Sequence, residues 1–504
     1  MRPERKSLLV RADADAQMGA GHVMRCLALA QAVQAEGDRA IFLSYCGTEA
    51  LRRRVEDAGI ALIPVDRPHP DSEDLARTLA KLGEVQPGWL VLDGYNFDSG
   101  YQQAIRRAGH RLLVIDDVAH WPEYHADILL NQNINAQQLR YVADPDTKLL
   151  LGTSYALLRP EFRPWQGLRH ETPDVAQRVL VTLGGSDPEN LTLEIIQALQ
   201  HLDPWRLDIK IVAGPAHSNF EILRQAVERS ISKMQLLANV TNMPELMAWA
   251  DFAISAGGST SWELAFMGVP SVIMVLAENQ RGVAEELAKR GVVVNLGWHE
   301  EVRQASITEA ATRLIISAGL RKEMASRGQE LVDGEGIDRV LMRLRGERIR
   351  LRQVREADGR LLWEWANDPG VRAVSFSPEP IPWPQHLSWL QGKLRDPNCI
   401  FCIAVNEEEV PIGQVRCDVD GHEAVISAGL DARCRGKGYG SAVIERAAKK
   451  LYQVSEARLI HAYVKADNEA SLKAFSKAGF KKTGTTLIRG QSAVDLTLRK
   501  EEVA

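Results

Sequence analysis

The chain has 504 residues, 45% of them hydrophobic and 25% charged, and its 61 Lys and Arg against 66 Asp and Glu leave a formal net charge of −5. This composition is that of an ordinary soluble globular protein and gives no support to nucleic-acid binding; at roughly 150 residues per unit, the length predicts about three domains. No apolar run approaches the roughly 20 residues that span a bilayer, and the charged opening (Arg2, Glu4, Arg5, Lys6) lacks the apolar core of a signal peptide, so a cytoplasmic protein without membrane contact is expected.

Up to about residue 340 the chain alternates short β-branched runs with amphipathic helical ones. "SLLVRA" leads into a helix over 23–35, "RAIFLSY" into "EALRRRVEDAG", "WLVLDGY" into "YQQAIRRAG", and "RLLVIDD" into a loop. Each run is apolar nearly throughout, as in strands covered on both faces, which predicts a doubly wound parallel sheet ending near Leu150. After the Pro-containing stretch Leu157–Trp165 a second series runs from "RVLVTLGGSD" through "RLDIKIVAG", "KMQLLAN", "DFAISAGGS" and "PSVIMVL" to "VVVNLG". The expectation is two Rossmann-like lobes, residues 1–160 and 161–340, with a cleft between the carboxyl ends of their strands.

The basic run Arg339–Arg355 reads as a solvated helix end and linker in preference to an anion-binding patch. Beyond it, helical segments with Trp363 and Trp365 precede "FCIAVNEEEVPIGQVRCDV", whose central "EEE" predicts a hairpin in an antiparallel α+β domain over 348–504. Of the six cysteines only Cys399 and Cys402 lie close together. On a strand their sulfurs point to opposite faces, so buried free thiols are expected. His120 and His125, near Asp116 and Asp117, are too loosely spaced for a metal site, and no metal is expected.

Three glycine turns follow strands in the first two lobes. In "RADADAQMGAGHVMRCLALA", Gly19 and Gly21 admit a ligand close to the backbone, and His22 stands where a helix begins. The dipole there disfavours a protonated ring and suits a base, although a histidine that only caps the helix fits the same position. "LGGSDPENL" (Leu183–Leu191) and "SAGGSTSWELAFMGVP" (Ser255–Pro270) have the same layout, with Ser259 and Thr260 placed to meet a phosphate. Glu263 can accept from ribose hydroxyls or be a solvated helix carboxylate, and Asn279 and Gln280 follow a strand where amides read sugar substituents.

The run Gly-Gly-Ser-Thr, a Glu, Gly-x-Pro, a strand and Asn-Gln resembles the nucleotide-sugar lobe of B-type (GT-B) glycosyltransferases. The opening motif, with "VLDGYNFD", "LLNQN", "LLGTSYALLRPEF" and "VTLGGSDPENLT", resembles the hydrolase of the pseudaminic acid pathway over residues 5–330. That family releases UDP from UDP-2,4-diacetamido-2,4,6-trideoxy-β-L-altropyranose. The resemblance implies that His22 is catalytic, that Tyr95 and Asn279 line the sugar pocket, and that Asp13 and Arg25, flanking the His motif, have supporting roles; Gly21, Arg25 and Gln280 count among the expected substrate contacts. UDP then rests on Gly185, Ser259, Thr260 and Glu263, with no obligatory metal.

In "SAGLDARCRGKGYGSAVIERAAKKL" a strand ends and glycines at 436, 438 and 440 open a helix, a turn suited to a pyrophosphate. A dinucleotide turn would need a βαβ unit that the flanking hairpins do not offer. With "RLIHAYV" and "ADNEASLKAFSKAGFKKTG", this order resembles the GCN5-related N-acetyltransferases (GNAT). The resemblance implies acetyl-CoA as co-substrate, held by Arg435, Gly436, Lys437, Gly438, Gly440 and Ser441, by backbone near Leu430 and by Asn468. Phe475 stands where many members have a proton-donating tyrosine; Tyr463, Tyr439 or water are the substitutes. "LLWEWANDPGVRAVSF", "HLSWL" and "PIGQVR" look closest to acetyltransferases of amino-sugar nucleotides. The expected protein is therefore a fusion of consecutive steps, acting on a UDP-linked amino-sugar and touching neighbouring pathway enzymes transiently. The alternatives are a glycosyltransferase fused to an acetyltransferase, and a nucleotide-sugar-binding scaffold.

Overall fold

The computed structural model describes residues 7–503 apart from 16–17, 169–170, 185–186, 188, 214–218 and 239. The chain divides into two compact units, Glu4–Val340 and Leu341–Ala504.

The first unit holds two parallel sheets. The strands of the first are β1 (Ser7–Ala12), β2 (Arg39–Ser44), β3 (Ala61–Pro64), β4 (Trp89–Asp93), β5 (Leu112–Ile115), β6 (Ile128–Asn131) and β7 (Lys148–Leu151), in spatial order β3-β2-β1-β4-β5-β6-β7. The sequence pattern marks β1, β2, β4 and β5; the other three are four-residue strands, too short to show a period, and they extend the sheet at its margins. β4, β5 and β6 are buried at every position, as strands with helices on both faces must be. Strand order reverses between β1 and β4, so the loops leaving their carboxyl ends diverge and open a crevice there.

The second sheet comprises β8 (Arg178–Thr182), β9 (Asp208–Ala213), β10 (Lys233–Ala238), β11 (Phe252–Ala256), β12 (Ser271–Val275) and β13 (Val293–Trp298), in the order β10-β9-β8-β11-β12-β13, again with a reversal beside its first strand. Two-sided burial holds for β8, β11 and β12. It fails at β9 and β10, where one face is left partly open and the residues alternate. Between the sheets Pro160–Trp165 forms a 3₁₀ turn that packs as core: Phe162 is buried, its ring centroid 6.3 Å from that of Phe266.

The second unit is built on one sheet of β14 (Ile349–Gln353), β15 (Cys399–Asn406), β16 (Pro411–Asp420), β17 (Glu423–Leu430), β18 (Leu459–Lys465), β19 (Lys481–Ile488) and β20 (Gln491–Arg499), in the order β14-β15-β16-β17-β18-β20-β19. Every neighbouring pair is antiparallel except β17 and β18. The expected hairpin joins β15 to β16 through Glu407–Glu409. The helix Tyr439–Val454 covers one face of the sheet; Gly359–Ala366 and Trp383–Arg395 cover part of the other. Cys402 lies in the first of these cores and Cys399 packs against the second, on opposite faces of one strand.

The basic run at 339–355 is not a solvated linker. It forms the end of the helix Gly336–Arg345 and the strand β14, and its arginines are engaged. Buried Arg339 donates to Asp333 at 2.6 and 2.8 Å, Arg343 to Glu407 at 2.6 Å, buried Arg350 to Glu409 at 3.0 Å, and Arg352 to Asp358 at 2.7 and 2.8 Å. An acidic partner within hydrogen-bond reach offsets the desolvation of each guanidinium, which charge counting along the chain does not foresee. Among the described residues no helix is long and apolar enough to cross a membrane.

Candidate active sites

The loop after β1 turns through Gly19, whose φ of +72° favours glycine, and enters the helix Gly21–Ala35 with no side-chain cap. Gly21 is its first residue. His22 and Arg25, three apart, share one face of it. Both meet the carboxyl end of β4. His22 Nδ1 lies 2.7 Å from Asp93 Oδ1, while Arg25 Nε donates to Asp93 Oδ2 and Arg25 Nη2 to Oδ1, both at 2.7 Å. The same guanidinium reaches Asp117, past the end of β5, at 2.8 and 3.0 Å. Asn133 Nδ2 donates to Asp117 Oδ1 at 2.9 Å. Asp13 is buried at the end of β1, where it accepts from Arg11 and from the backbone N–H groups of Tyr45 and His69 and so ties the neighbouring loops together.

The electrostatics of this cluster follow from one cation between two carboxylates. Burial alone would raise the Asp93 carboxyl, but the Arg25 guanidinium and the His22 ring hold it well below the usual carboxylate range. Asp117 is lowered in the same way, against its burial, by Arg25. An ionised Asp93 can only accept. The proton of a neutral His22 ring therefore sits on Nδ1, and Nε2 is its acceptor nitrogen. The ring is 7% exposed and stands edge-on to Tyr95 at 4.9 Å.

Tyr95 joins the lobes. Its hydroxyl donates to Asp117 Oδ2 at 3.0 Å and accepts from Asn279 Nδ2 at 2.6 Å. Burial and the Asp117 charge push the phenol well above its ordinary pKa, so Tyr95 keeps its proton. Asn279 lies in the first turn of the helix Glu278–Lys289 after β12, beside Gln280, whose Oε1 accepts from Leu276 N at 2.9 Å. Gly282 in that helix faces Asn135 of the first lobe so closely that a Cβ would lie 2.7 Å from Asn135 Nδ2. His22, Arg25, Tyr95 and Asn279, all singled out by sequence, thus form one connected cluster. Asp93, Asp117 and Asn133 belong to it as well, and the sequence signal for the two carboxylates is their place at the ends of "VLD" and "VIDD", closing β4 and following β5.

The second group stands at the carboxyl end of β11. Ser259 precedes the helix Thr260–Met267, which has no side-chain cap, and the Gln280 side chain lies against Gly257 and Gly258. Glu263 is neither solvated nor free: its Oε1 accepts from Arg159 Nε at 2.9 Å. Gly185 lies outside the described residues.

In the second unit β17 ends at Leu430 and the turn passes through Gly436 and Gly438, at φ +74° and +82°, into the helix Tyr439–Val454. A Cβ on either glycine would meet nothing within 4 Å, and the helix has no side-chain cap, so its first N–H groups, at Tyr439, Gly440 and Ser441, face an open exposed cradle flanked by Lys437. This donor set suits a pyrophosphate. Arg435 is held at one side of it, Nη2 donating to Asp368 Oδ1 at 2.7 Å. β17 and β18 pair only from Glu423–Val425 to Leu459–His461; beyond that no ladder joins them, and a wedge opens toward Leu430 and the glycine turn. Asn468 caps the helix Glu469–Lys477, Oδ1 accepting from Ser471 N at 3.1 Å. Phe475 is buried against Phe480 on the core face. Tyr439 packs on that face too, whereas Tyr463 of β18 lies on the other.

These features define a two-lobed α/β module of GT-B fold followed by an α+β domain of GNAT fold. Residues 348–481 match the acetyltransferase (GNAT) domain family, and residues 179–334 the glycosyltransferase family 28 C-terminal domain. The chain is 26% identical over 290 residues to the UDP-2,4-diacetamido-2,4,6-trideoxy-beta-L-altropyranose hydrolase of Campylobacter jejuni, a match covering 57% of this chain and 98% of that protein. It is 25% identical over 483 residues to the uncharacterized protein MJ1062 of Methanocaldococcus jannaschii, with 94% and 96% of the two chains covered. Acinetobacter baumannii MurG shares the fold over 68% of this chain and 99% of its own, at 16% identity and a TM-score of 0.50.

Proposed function

We propose that the chain is a bifunctional nucleotide-sugar enzyme of pseudaminic acid biosynthesis: it N-acetylates a UDP-4-amino-4,6-dideoxy-sugar with acetyl-CoA, then hydrolyses the UDP-2,4-diacetamido-2,4,6-trideoxy-β-L-altrose so formed to free sugar and UDP. The similarity to the Campylobacter hydrolase over nearly that protein's full length supports the second step, and the GNAT match supports the first. The observation that carries the hydrolytic reading is the His22–Asp93 contact at 2.7 Å. Asp93 fixes the tautomer, so Nε2 takes a proton from a water as that water attacks the anomeric carbon. The C–O bond to the diphosphate breaks and UDP leaves.

In this reading the sugar lies by Tyr95 and Asn279, where the Asn279 amide exchanges its bond to Tyr95 for one to an acylamino group. The uridine diphosphate rests on the second lobe. N–H groups at Ser259 and Thr260 take its phosphates, Glu263 takes a ribose hydroxyl through Oε2, and Gln280 sits beside Gly257 and Gly258. The acetyl-CoA pyrophosphate lies on the turn 435–441 and its pantetheine in the wedge at Leu430; acetyl-CoA supplies an activated acyl group to the amine.

Mass spectrometry of products from the UDP-4-amino-sugar, with and without acetyl-CoA, tests both steps at once. The expected result is UDP and free diacetamido sugar only when acetyl-CoA is present, and ¹⁸O from labelled water in the sugar. Label in UDP would mean P–O cleavage. UDP release only on addition of an acceptor alcohol would make the first unit a glycosyltransferase.

A further inference from the structure

On β18, Ile460, Ala462 and Val464 point into the core beneath the helix Tyr439–Val454, so His461 and Tyr463 lie on the opposite face of the sheet. His461 is the last residue of β18 paired to β17 before the wedge opens. The apolar cluster covering this face draws its strand residues from β15 and takes none from β17, β18 or β20. His461 therefore stands at the tip of the wedge, outside that apolar cluster, with its side chain 17% exposed. Toward the other end of the strand the segment at Phe376 packs by this face: its ring lies 5.9 Å from Lys465 Nζ and its carbonyl accepts from Gln491 Nε2 of β20 at 3.3 Å.

The ring is held on several sides. Its Nδ1 lies 3.0 and 3.3 Å from the two oxygens of Asp495 on β20, and Tyr463 stacks on it at 5.8 Å with 19° between planes. Against an ionised Asp495, Nδ1 of the neutral ring carries the proton and Nε2 is an acceptor. Nε2 lies 3.8 Å from Glu423 Oε2 on β17, too far for a hydrogen bond. Two acceptors side by side at the tip of the wedge form a slot for a donor with more than one N–H. The titratable groups facing the ring are Glu423, Tyr463 and Asp495. Burial, with the Asp495 and Glu423 charges, raises the Tyr463 phenol, so it stays protonated.

We propose that His461, oriented by Asp495, is the general base of the acetyltransferase and that Glu423 and His461 Nε2 together receive the acceptor as a primary ammonium ion. This rests on the acetyltransferase reading above. Nε2 takes one proton from the ammonium. The freed lone pair attacks the thioester carbonyl carbon, the C–S bond breaks, and the sulfur leaves as the thiol with a second amine proton. The proton on His461 passes to solvent from the exposed edge of the ring.

The test uses the full-length chain with His461→Gln, Asp495→Asn and Asp495→Glu; retained acetyl-CoA binding reports that the second unit of each variant is folded, and UDP release from the diacetamido substrate that the first is. For His461→Gln, acetylation kcat near pH 7 should fall about 10²-fold, the lower end for a lost base. Calorimetric acetyl-CoA affinity should stay within twofold, and the deficit should shrink as pH rises and the free amine forms. Asp495→Asn should show the same pH-dependent loss, and Asp495→Glu should regain most of it. A His461→Gln rate within threefold of the parent, or a deficit equal at all pH values, overturns the assignment and leaves the acetyltransferase reading standing. A parent chain that acetylates no amine overturns both.

Discussion

Asn279 Nδ2 donates to the Tyr95 hydroxyl at 2.6 Å, joining the second lobe to the carboxylate cluster of the first through one side chain. Tyr95→Phe removes that joint and the 3.0 Å bond to Asp117, while Asp117 keeps Arg25 and Asn133. The expected cost in stability is about 1.5–3 kcal/mol, the worth of a hydrogen bond to a charged group. In steady-state kinetics, KM for the UDP-sugar should rise more than kcat falls. A kcat loss as large as that of His22→Ala would make the phenol part of the chemistry.

Arg25 is the shared cation of Asp93 and Asp117. Arg25→Leu leaves two buried carboxylates without it, and urea unfolding should show a loss of about 3–5 kcal/mol. Arg25→Lys should recover little, because an ammonium cannot match the fork that bonds both carboxylates at once.

The acid limb of stability follows from the same pair. Both carboxyls are lowered on folding, so each contributes stability that is full above the unfolded carboxylate value of about 4 and is lost as pH falls toward the folded value. The melting temperature should therefore drop steeply below about pH 4. An Asp93→Asn, Asp117→Asn double variant should start lower at neutral pH and show a shallower acid slope, measurable by scanning calorimetry.

Gly436→Ala and Gly438→Ala force an L side chain into φ near +74° and +82°, at a cost of about 1–2 kcal/mol in the bound turn. Calorimetry should show acetyl-CoA affinity falling by about tenfold, with UDP release from the diacetamido substrate unchanged. Equal affinity in both variants would remove the turn from the binding site.

Much of this was legible in the sequence because chain-local signals carry it. Apolar runs mark the central strands, and glycines before a helix mark the turns at 19–21 and 435–440. The hairpin at Glu407–Glu409 shows in two alternating runs around a charged turn. What the sequence hid is pairing between distant residues. Asp93 and Asp117 look like any strand-end carboxylates until Arg25 is seen between them, and Glu263 looks solvated until Arg159 reaches it. The basic run at 339–355 failed as a linker for the same reason, since Asp333, Glu407 and Glu409 come from other segments. His461 draws no notice within "RLIHAYV"; only the register of β18 against β17 and β20 sets it between Glu423 and Asp495.

The central claim is that a neutral His22, seated on Asp93, activates water against a UDP-linked diacetamido sugar. Its most direct test is the time course of UDP release from that sugar nucleotide, with no acceptor present, by the parent chain and by His22→Ala. The account predicts stoichiometric UDP and free sugar from the parent and a rate about 10²–10⁴ lower from the variant. A variant within a few-fold of the parent, or a parent that releases no UDP, would contradict it.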